Sequence, residues 1–490
     1  MKSTIGKSNE PVNRTGKSSF ETENVSRAIL QMAGPTIVSM LVTVVYNMTD
    51  TYFVGQTGSA SQVAAVSLTT PVFLIMMALG NLFGVGGGSS ISRALGMDKK
   101  ERVRQISSSC FYAISAAGLI LLLVIQILAE PLVIMLGATQ DTIRLSASYL
   151  KCLSFGAPFI ILSAAFSHLV RAEGDSKKAM TGNLIGTAIN IILDPMLILV
   201  LNMGVFGAAL ATVIGNAGAA AFYMLYLYRG RTNLSVHLRD ISIAVYGDVF
   251  AIGIPAFLNS VLTSVTQIVM NNYLKLYGDS AMAAMGVAHK LNLLVTLILT
   301  GLCTGVQPLI AYNYGARNYS RMKRIMQSTI AYSVILGSCI SLLMGFSKGF
   351  LIRSFIDDPL VITYGSRMLT AFLLTGPFLG ILFASMNCMQ GMGKALPSLL
   401  ISVSRQGLLF VPAIIIMHTV WGLNGLIYSQ MAADYISIVI AACICLIMLR
   451  RCRMEFADID DTAGMAPDRE PHAALESSII KPGSVAFKRG

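Results

Sequence analysis

Residues 179–201 of this chain read AMTGNLIGTAINIILDPMLILVL. This stretch is long and apolar enough to cross a bilayer, which takes about 20 residues of helix. It nevertheless holds an aspartate, Asp194, four residues after Asn190 and directly before a proline. An ionised acid at mid-bilayer costs about 2.5–3.5 kcal/mol. We therefore expect this helix to turn its acid toward protein or water.

The composition of the whole chain predicts a membrane protein. Of its 490 residues, 54% are hydrophobic and 12% are charged, with a mean hydropathy of +0.67. A soluble domain carries roughly a quarter charged residues. We predict an all-α polytopic protein with the lipid bilayer as its main partner. The net charge of +12 does not indicate a nucleic-acid partner, because the position of the basic residues has another explanation.

Twelve apolar segments are predicted to span the membrane, which places both termini on one side. With the amino end inside, 28 of the 36 Lys and Arg residues fall in inner segments. This asymmetry fits the positive-inside rule and predicts a multi-pass protein of the cytoplasmic (inner) membrane with cytoplasmic termini. The predicted spans are 29–54, 63–92, 105–129, 145–170, 178–201, 204–228, 249–274, 280–311, 325–347, 366–389, 395–418 and 422–449.

The two halves of the chain repeat. Residues 84–106 align with residues 303–325 at an offset of 219, which places Gly96 on Gly315. Because each half has an even number of spans, the halves share one orientation and are expected to be related by a pseudo-twofold axis along the membrane normal. The predicted regions are a cytoplasmic amino-terminal tail (1–27), a first lobe (28–228), a cytoplasmic linker (229–248), a second lobe (249–449) and a cytoplasmic carboxyl-terminal tail expected to be disordered (450–490).

No motif in the chain predicts an enzyme. The glycines at positions 84 and 86–88 lack the following Lys-Ser/Thr of a phosphate loop, and close helix packing explains them. The eight cysteines show no metal or disulfide spacing. We therefore expect no catalytic residue, no use of ATP and no cofactor.

Polar residues form a stripe on the predicted fifth span. Asn183, Thr187, Asn190 and Asp194 recur every three or four residues, which is one face of a helix. Pro195 frees a backbone carbonyl beside them. Carboxylate, amide, hydroxyl and carbonyl oxygens suit Na⁺ or a shared proton. The alternative is that these groups only join helices by hydrogen bonds.

Other polar residues in predicted spans are candidates for a substrate cavity or for structural roles. Lys151 is either a counter-ion to the acids or a residue that extends to the membrane surface. Asp434 is either a cavity residue or half of an ion pair with a basic side chain. The further candidates are Thr43, Asn47, Asn216, Asn259, His289 and Asn292.

The order of several motifs resembles the multidrug and toxic compound extrusion (MATE) transporters. They are AGPTIVSM (33–40), NMTDTYFVGQTG (47–58), LVRAEGDSKKAMTGNLIGTAINIILDP (169–195) and GVFGAALATVIG (204–215). The resemblance covers about residues 27–449 and is strongest to the DinF-like and multidrug branches. It implies twelve helices in two six-helix lobes and alternating access.

The resemblance also implies a site and an activity. A cation or proton site in the first lobe falls on Asp50, Asn190, Asp194 and Thr212, with Na⁺ as a possible ligand. The implied activity is secondary antiport, in which Na⁺ or H⁺ entry drives the efflux of amphipathic, often cationic, drugs. A monomer is expected. The alternative is a lipid-linked precursor flippase of the same superfold, which predicts a strongly basic cavity.

Overall fold

The computed structural model describes residues 20–464 apart from 22–23, 57–59, 231 and 357. The described residues up to Cys445 form one compact unit, and those from Leu446 onward belong to a second. The described residues form helices joined by short turns, and none of them lies in a strand. The α-helices are α1 (Val25–Gly55), α2 (Ala60–Gly96), α3 (Lys100–Met135), α4 (Gln140–Phe155), α5 (Ala157–Ala172), α6 (Ser176–Pro195), α7 (Gly204–Tyr228), α8 (Tyr246–Leu274), α9 (Asp279–Gly315), α10 (Tyr319–Arg353), α11 (Pro359–Gly391), α12 (Ala395–Val403) and α13 (Val411–Gly464).

The twelve predicted spans correspond to these helices, although some helix boundaries differ from the predicted boundaries between spans. Within the described residues, ten helical stretches are long and apolar enough to cross a bilayer, and an eleventh forms if α4 and α5 are joined. These two meet at Gly156 with a bend of 54°. The last two predicted spans run together in one stretch, Ala395–Phe456, and the break between them lies at Gly422 (φ 56°, ψ −130°). The prediction of twelve spans in two lobes is confirmed.

In the part of the chain that the structure describes, two π-helical turns interrupt the regular helices. Met196–Val200 follows Pro195 directly, and the amide of Leu201 donates to the Met196 carbonyl at 2.9 Å. Because proline cannot donate to the preceding turn, the helix widens where the sequence predicted a weak point. The second turn is Ser404–Phe410, between α12 and α13.

The disorder of residues 450–490 stays a prediction. Within the described residues, α13 continues past Arg450 to Gly464. The physical reason is that residues 450–463 hold no proline or glycine and consist mainly of residues that tolerate a helix. The remainder of the predicted tail, 465–490, lies outside the described residues, as does most of the amino-terminal tail.

The two lobes meet where glycines let backbones touch. A Cβ on Gly86 of α2 would lie 2.1 Å from the Val249 carbonyl oxygen of α8, and a Cβ on Gly253 would lie 2.2 Å from the Leu82 carbonyl oxygen. Such distances exclude any side chain. The predicted packing role of the glycine run is therefore confirmed at Gly86.

A second contact between the lobes is reciprocal. A Cβ on Gly96 would lie 2.1 Å from the Tyr312 carbonyl oxygen, and a Cβ on Gly315 would lie 2.2 Å from the Arg93 carbonyl oxygen. Both pairs are related by the sequence offset of 219. The contact is therefore self-complementary, as expected for equivalent helices that cross near a twofold axis. It lies at the end of the lobes that carries the linker.

The linker (residues 229–248) is hydrogen-bonded to the first lobe. Ser107 of α3 accepts a hydrogen bond from the Ser235 amide at 2.8 Å and donates to the Ser235 carbonyl at 3.0 Å. Ser109 binds the backbone of Ser242 in the same way, at 3.0 and 3.2 Å. These pairs satisfy linker backbone groups as a neighbouring strand would.

A buried acid holds the start of the linker. Glu173, in the turn between α5 and α6, is 4% exposed and accepts hydrogen bonds from the Thr232 hydroxyl at 2.5 Å and from Asn233 Nδ2 at 2.9 Å. Its Oε1 also accepts from the Asn233 backbone amide, and its Oε2 accepts from the Tyr226 hydroxyl at 3.3 Å. Burial raises the pKa of Glu173 above its ordinary value, and these hydrogen bonds oppose that shift. Glu173 thus anchors the linker to the α5–α6 turn.

We expect Glu173→Ala to loosen the linker. The change leaves the half-buried Thr232 and Asn233 without their acceptor. Each hydrogen bond lost costs about 1 kcal/mol, so local opening should rise about tenfold or more. Trypsin cleavage after the exposed Arg239 should accelerate accordingly. Glu101→Ala removes an exposed acid at the start of α3 and serves as control. Equal cleavage of both variants would contradict the anchoring role.

Candidate ion-coupling site

The candidate site forms where α6 and α7 approach most closely. A Cβ on Gly186 would lie 2.9 Å from the Gly215 carbonyl oxygen, and a Cβ on Gly215 would lie 2.7 Å from the Gly186 carbonyl oxygen. Small residues at this crossing let the backbones touch. Asn190 follows Gly186 by one turn and Thr212 precedes Gly215 by nearly one turn, so the crossing brings these two side chains together.

Three of the four predicted coupling residues form one buried cluster. Asp194 is fully buried, and Asn190 and Thr212 are 3% and 4% exposed. In the amide orientation that satisfies both of its neighbours, Asn190 Nδ2 donates to Asp194 Oδ2 at 3.0 Å. Its Oδ1 then accepts from the backbone amide of Thr212 at 3.1 Å. The carboxylate is therefore tied to α7 through a single amide group.

The fourth coupling residue, Asp50, lies on α1, which packs against α6. Its side chain lies outside the described residues, as does that of Asn47. The meeting of Asp50 with Asp194 therefore stays a prediction. Thr43, on the same helix, is exposed and donates to the Ser39 carbonyl of its own helix at 3.0 Å.

A second polar layer surrounds the cluster on the side of the linker. Asn216 donates to the Thr212 carbonyl at 2.9 Å and accepts from the Ser163 hydroxyl of α5 at 2.8 Å. Asn183 accepts from the Tyr223 hydroxyl at 3.0 Å. These bonds fit the alternative reading of Asn216 and Asn183 as residues that join helices. Thr187 is half-buried on the same helix as Asn183.

Sequence reasoning missed two members of this layer, Ser163 and Tyr223. Tyr223 is fully buried, and its hydroxyl also donates to the Ala179 carbonyl at 2.8 Å. A signal was present, since Thr212, Asn216 and Tyr223 are spaced by four and seven residues on one face of α7. Ser163 had no such signal, because serine is common in apolar helices.

Lys151 lies in a cleft apart from the acid cluster. The cleft is formed by α3, α4 and α7, and Lys151 lines it together with Glu130 and Arg144. Neither Asn190 nor Asp194 lines it. The geometry therefore favours the prediction that Lys151 extends to the membrane surface over the prediction that it is a counter-ion of Asp194.

The remaining second-lobe candidates are spread over two helices. Asn259 is half-buried on α8, and His289 is exposed on α9, where its Nε2 lies 2.6 Å from Gln267 Nε2. Asn292 is half-buried on α9, and its Oδ1 has no hydrogen-bond donor among the described residues. Their role as cavity residues stays a prediction.

Asp434 forms an ion pair, as the alternative reading of the sequence expects. Arg405 Nε donates to Asp434 Oδ1 at 2.9 Å, and Gln430 Nε2 donates to the same oxygen at 2.8 Å. The two charged side chains are 13% and 3% exposed, and the guanidinium lies 5.2 Å from the centre of the Phe383 ring. The pair joins the π-helical turn to α13.

We expect Arg405→Gln to destabilise the protein by about 3 kcal/mol or more, because it leaves the Asp434 carboxylate buried without its counter-ion. The double variant Arg405→Gln/Asp434→Asn should regain most of that stability. The measurement is a double-mutant cycle of thermal unfolding in detergent, with efflux assayed in parallel. Additive losses in the cycle would show that the pair is not coupled.

The donor atoms of the first-lobe cluster fit a hard cation as well as a proton. Among the described residues, no three His, Cys, Asp or Glu side chains lie together as a metal-binding group. Na⁺ is instead bound by carboxylate, amide and hydroxyl oxygens, which Asp194, Asn190 and Thr212 supply. Both ions therefore remain candidates for this cluster.

The class of protein that this architecture defines is a two-lobed helical membrane transporter. The MatE family model matches residues 35–196 and 255–416, two segments displaced by 220 residues. The chain belongs to this family, the multidrug and toxic compound extrusion transporters, and the resemblance seen in the sequence is confirmed. Transport in this family is coupled to ion movement.

Curated relatives match nearly the whole chain. The multidrug export protein MepA of Staphylococcus aureus (strain NCTC 8325 / PS 47) is 35% identical over 447 residues, covering 90% of this chain and 98% of that protein. MepA of Staphylococcus saprophyticus is 33% identical over 447 residues with the same coverage.

Solved structures share the fold. A crystal structure of MATE in complex with MaL6 matches with a TM-score of 0.86 and 21% identity, over 90% of this chain and 99% of that one. An outward-facing multidrug resistance MATE family transporter of the MOP superfamily matches with a TM-score of 0.85 and 22% identity, over 91% and 100% of the two chains.

Proposed function

We propose that this chain is a secondary active antiporter that expels amphipathic, often cationic, drugs in exchange for Na⁺ or H⁺. The observation that carries the proposal is the buried Asn190–Asp194–Thr212 cluster in a chain 35% identical to multidrug export proteins. A fully buried membrane acid is costly, and the usual reason for keeping one is function. No second function has a comparable observation in its favour.

The Asn190 amide links the binding of a proton or cation at Asp194 to the position of α7. An ionised Asp194 accepts from the amide nitrogen, as in the orientation described above. A carboxyl group that holds its proton on Oδ2, or a cation bound between the two side chains, instead favours an oxygen at that place. Turning the amide by half a rotation presents Oδ1 to Asp194 and exchanges the bond from the Thr212 amide for one from Nδ2 to the Thr212 hydroxyl at 3.5 Å. Loading the acid therefore changes how α6 is held against α7.

Export requires that the two lobes close alternately at the two ends of the protein, so that the space between them opens to one side of the membrane at a time. The glycine contacts at Gly86, Gly96, Gly253 and Gly315 lie at the end that carries the linker. The basic residues concentrated there favour the cytoplasm for this end and for both termini. The conformation then corresponds to an outward-facing state, which supports release of drug on the far side. Ion binding drives transport only if it favours one state over the other.

The test is flux in sealed vesicles that hold the purified chain. An imposed sodium gradient and an imposed pH gradient, applied separately, should show which ion drives uptake of ethidium against its gradient. We expect one of the two gradients to suffice and a protonophore or sodium ionophore to abolish the flux. Ethidium movement that ignores both gradients would refute antiport.

The flippase alternative is not favoured. The relatives are named as multidrug export proteins, and a flippase for a lipid-linked pyrophosphate would need a strongly basic cavity. In the second lobe, Arg405 is neutralised by Asp434. Lys151 lies in a lateral cleft of the first lobe.

A further inference from the structure

A cleft in the first lobe lies outside the proposed transport machinery. It has a volume of about 580 Å³ and is formed by residues of α3, α4 and α7 only. We call it the lateral cleft and define it by Glu130, Arg144, Lys151, Phe155, Phe206 and Val213, which line it. A volume of this size matches a small-molecule site rather than a packing defect.

The bend in the fourth span explains why the cleft exists. Gly156 ends α4, and α5 leaves at 54° to it. A Cβ on Gly156 would lie 2.7 Å from Val213 Cγ2, so the glycine lets the bend press against α7. Gln126 of α3 fixes the other side by donating to the Lys151 carbonyl and to Ser154 Oγ, both at 2.9 Å.

The side chains that line the lateral cleft change from polar to apolar along α4. Arg144, Lys151 and Phe155 follow one face of the helix at spacings of seven and four residues. At 1.5 Å per residue they span about 17 Å, from the membrane surface toward the bilayer middle. Phe155, at the deep end, is 59% exposed, and Phe206, whose backbone lies beside Cys152, is 40% exposed, so apolar surface begins at the depth of Lys151 and continues inward.

The charges in the cleft do not cancel. Arg144 and Lys151 face a single acid, Glu130, and neither of them forms a salt bridge among the described residues. Cations at membrane depth normally find an anionic partner. Lys151 lies within the predicted span 145–170 and Arg144 at its outer end, so an anion from the membrane surface would supply the partner that Lys151 lacks.

We propose that the lateral cleft binds an anionic phospholipid. The phosphate lies between Arg144 and Lys151, and an acyl chain follows Phe155 and Phe206 toward the bilayer middle. An anionic phospholipid supplies both the negative charge, through its phosphate, and the apolar contact, through its acyl chain. A cationic drug fits poorly because the cleft carries an excess positive charge. A free phosphate ion would leave the apolar end unused.

The experiment is native mass spectrometry of the full chain in detergent, titrated with phosphatidylglycerol or phosphatidylcholine. We expect phosphatidylglycerol to be retained more strongly than the zwitterionic lipid. Arg144→Gln and Lys151→Gln should each weaken its binding about fivefold, the usual worth of one cation near a lipid surface. Lys275→Gln removes an exposed lysine elsewhere and should leave binding unchanged.

A second variant separates a lipid from a soluble anion. Leu210→Gln puts an amide into the apolar part of the cleft and keeps both cations. It should weaken phosphatidylglycerol binding, and glycerol phosphate should not compete at equal concentration. The proposal is overturned if both lipids bind equally, if the charge variants retain phosphatidylglycerol, or if glycerol phosphate competes as well as the lipid.

Discussion

Asp194→Asn is expected to abolish ion-driven drug efflux while the protein still folds. Asparagine has the shape of aspartate and can accept from Asn190, but it neither takes up a proton nor carries a charge. Each charge that moves through 100 mV supplies about 2.3 kcal/mol, enough for a concentration ratio of about 50. Without coupling, the ratio of drug concentrations across the membrane should fall to one. The measurement is ethidium efflux from energised cells at matched protein level.

The matched control for this change is Asp98→Asn, the same substitution at an exposed aspartate between α2 and α3. It should leave efflux unchanged. Thermal unfolding in detergent separates coupling from folding. We expect no loss of stability in Asp194→Asn, because a neutral amide is easier to bury than a carboxylate. Ion-driven efflux at the native rate would exclude Asp194 from coupling.

Gly86→Val should prevent the lobes from closing at the end that carries the linker. Even a Cβ would lie 2.1 Å from the Val249 carbonyl oxygen, and this neighbour is backbone that cannot rotate away. The lobes must therefore separate along α2 and α8. We expect efflux to fall to background, since a transporter that cannot close one end cannot complete its cycle.

Hydrogen exchange reports this separation directly. Amides in peptides covering residues 82–96 and 246–256 should exchange faster in Gly86→Val than in the native chain. Gly34→Val is the control, because a Cβ at this helical glycine of α1 meets nothing within 4 Å. Unchanged exchange together with native efflux would show that the contact is not required for closure.

The candidate site could be predicted from the sequence only in part. The helical spacing of Asn190 and Asp194 predicted that they share a face, and the structure joins them by one amide. The polar residues of the predicted sixth span and the family resemblance both point to Thr212, and its place is set by the crossing of Gly186 and Gly215. The Ser163 hydroxyl could not have been foreseen, because its partner Asn216 lies 53 residues away on another helix.

The class of fold, the number of spans and the repeat can be predicted from the sequence without coordinates. Each of these follows from local hydropathy, helical period and a constant offset between the halves, so no knowledge of packing is needed. The recurrence of Gly96 and Gly315 is explained by helix packing, because their backbones cross at the junction of the lobes. Only the tertiary structure decided that Asp434 pairs with Arg405 while Lys151 stands in a separate cleft. Those outcomes depend on which helices meet and at what angle, and close packing between distant segments leaves no periodic trace in the chain.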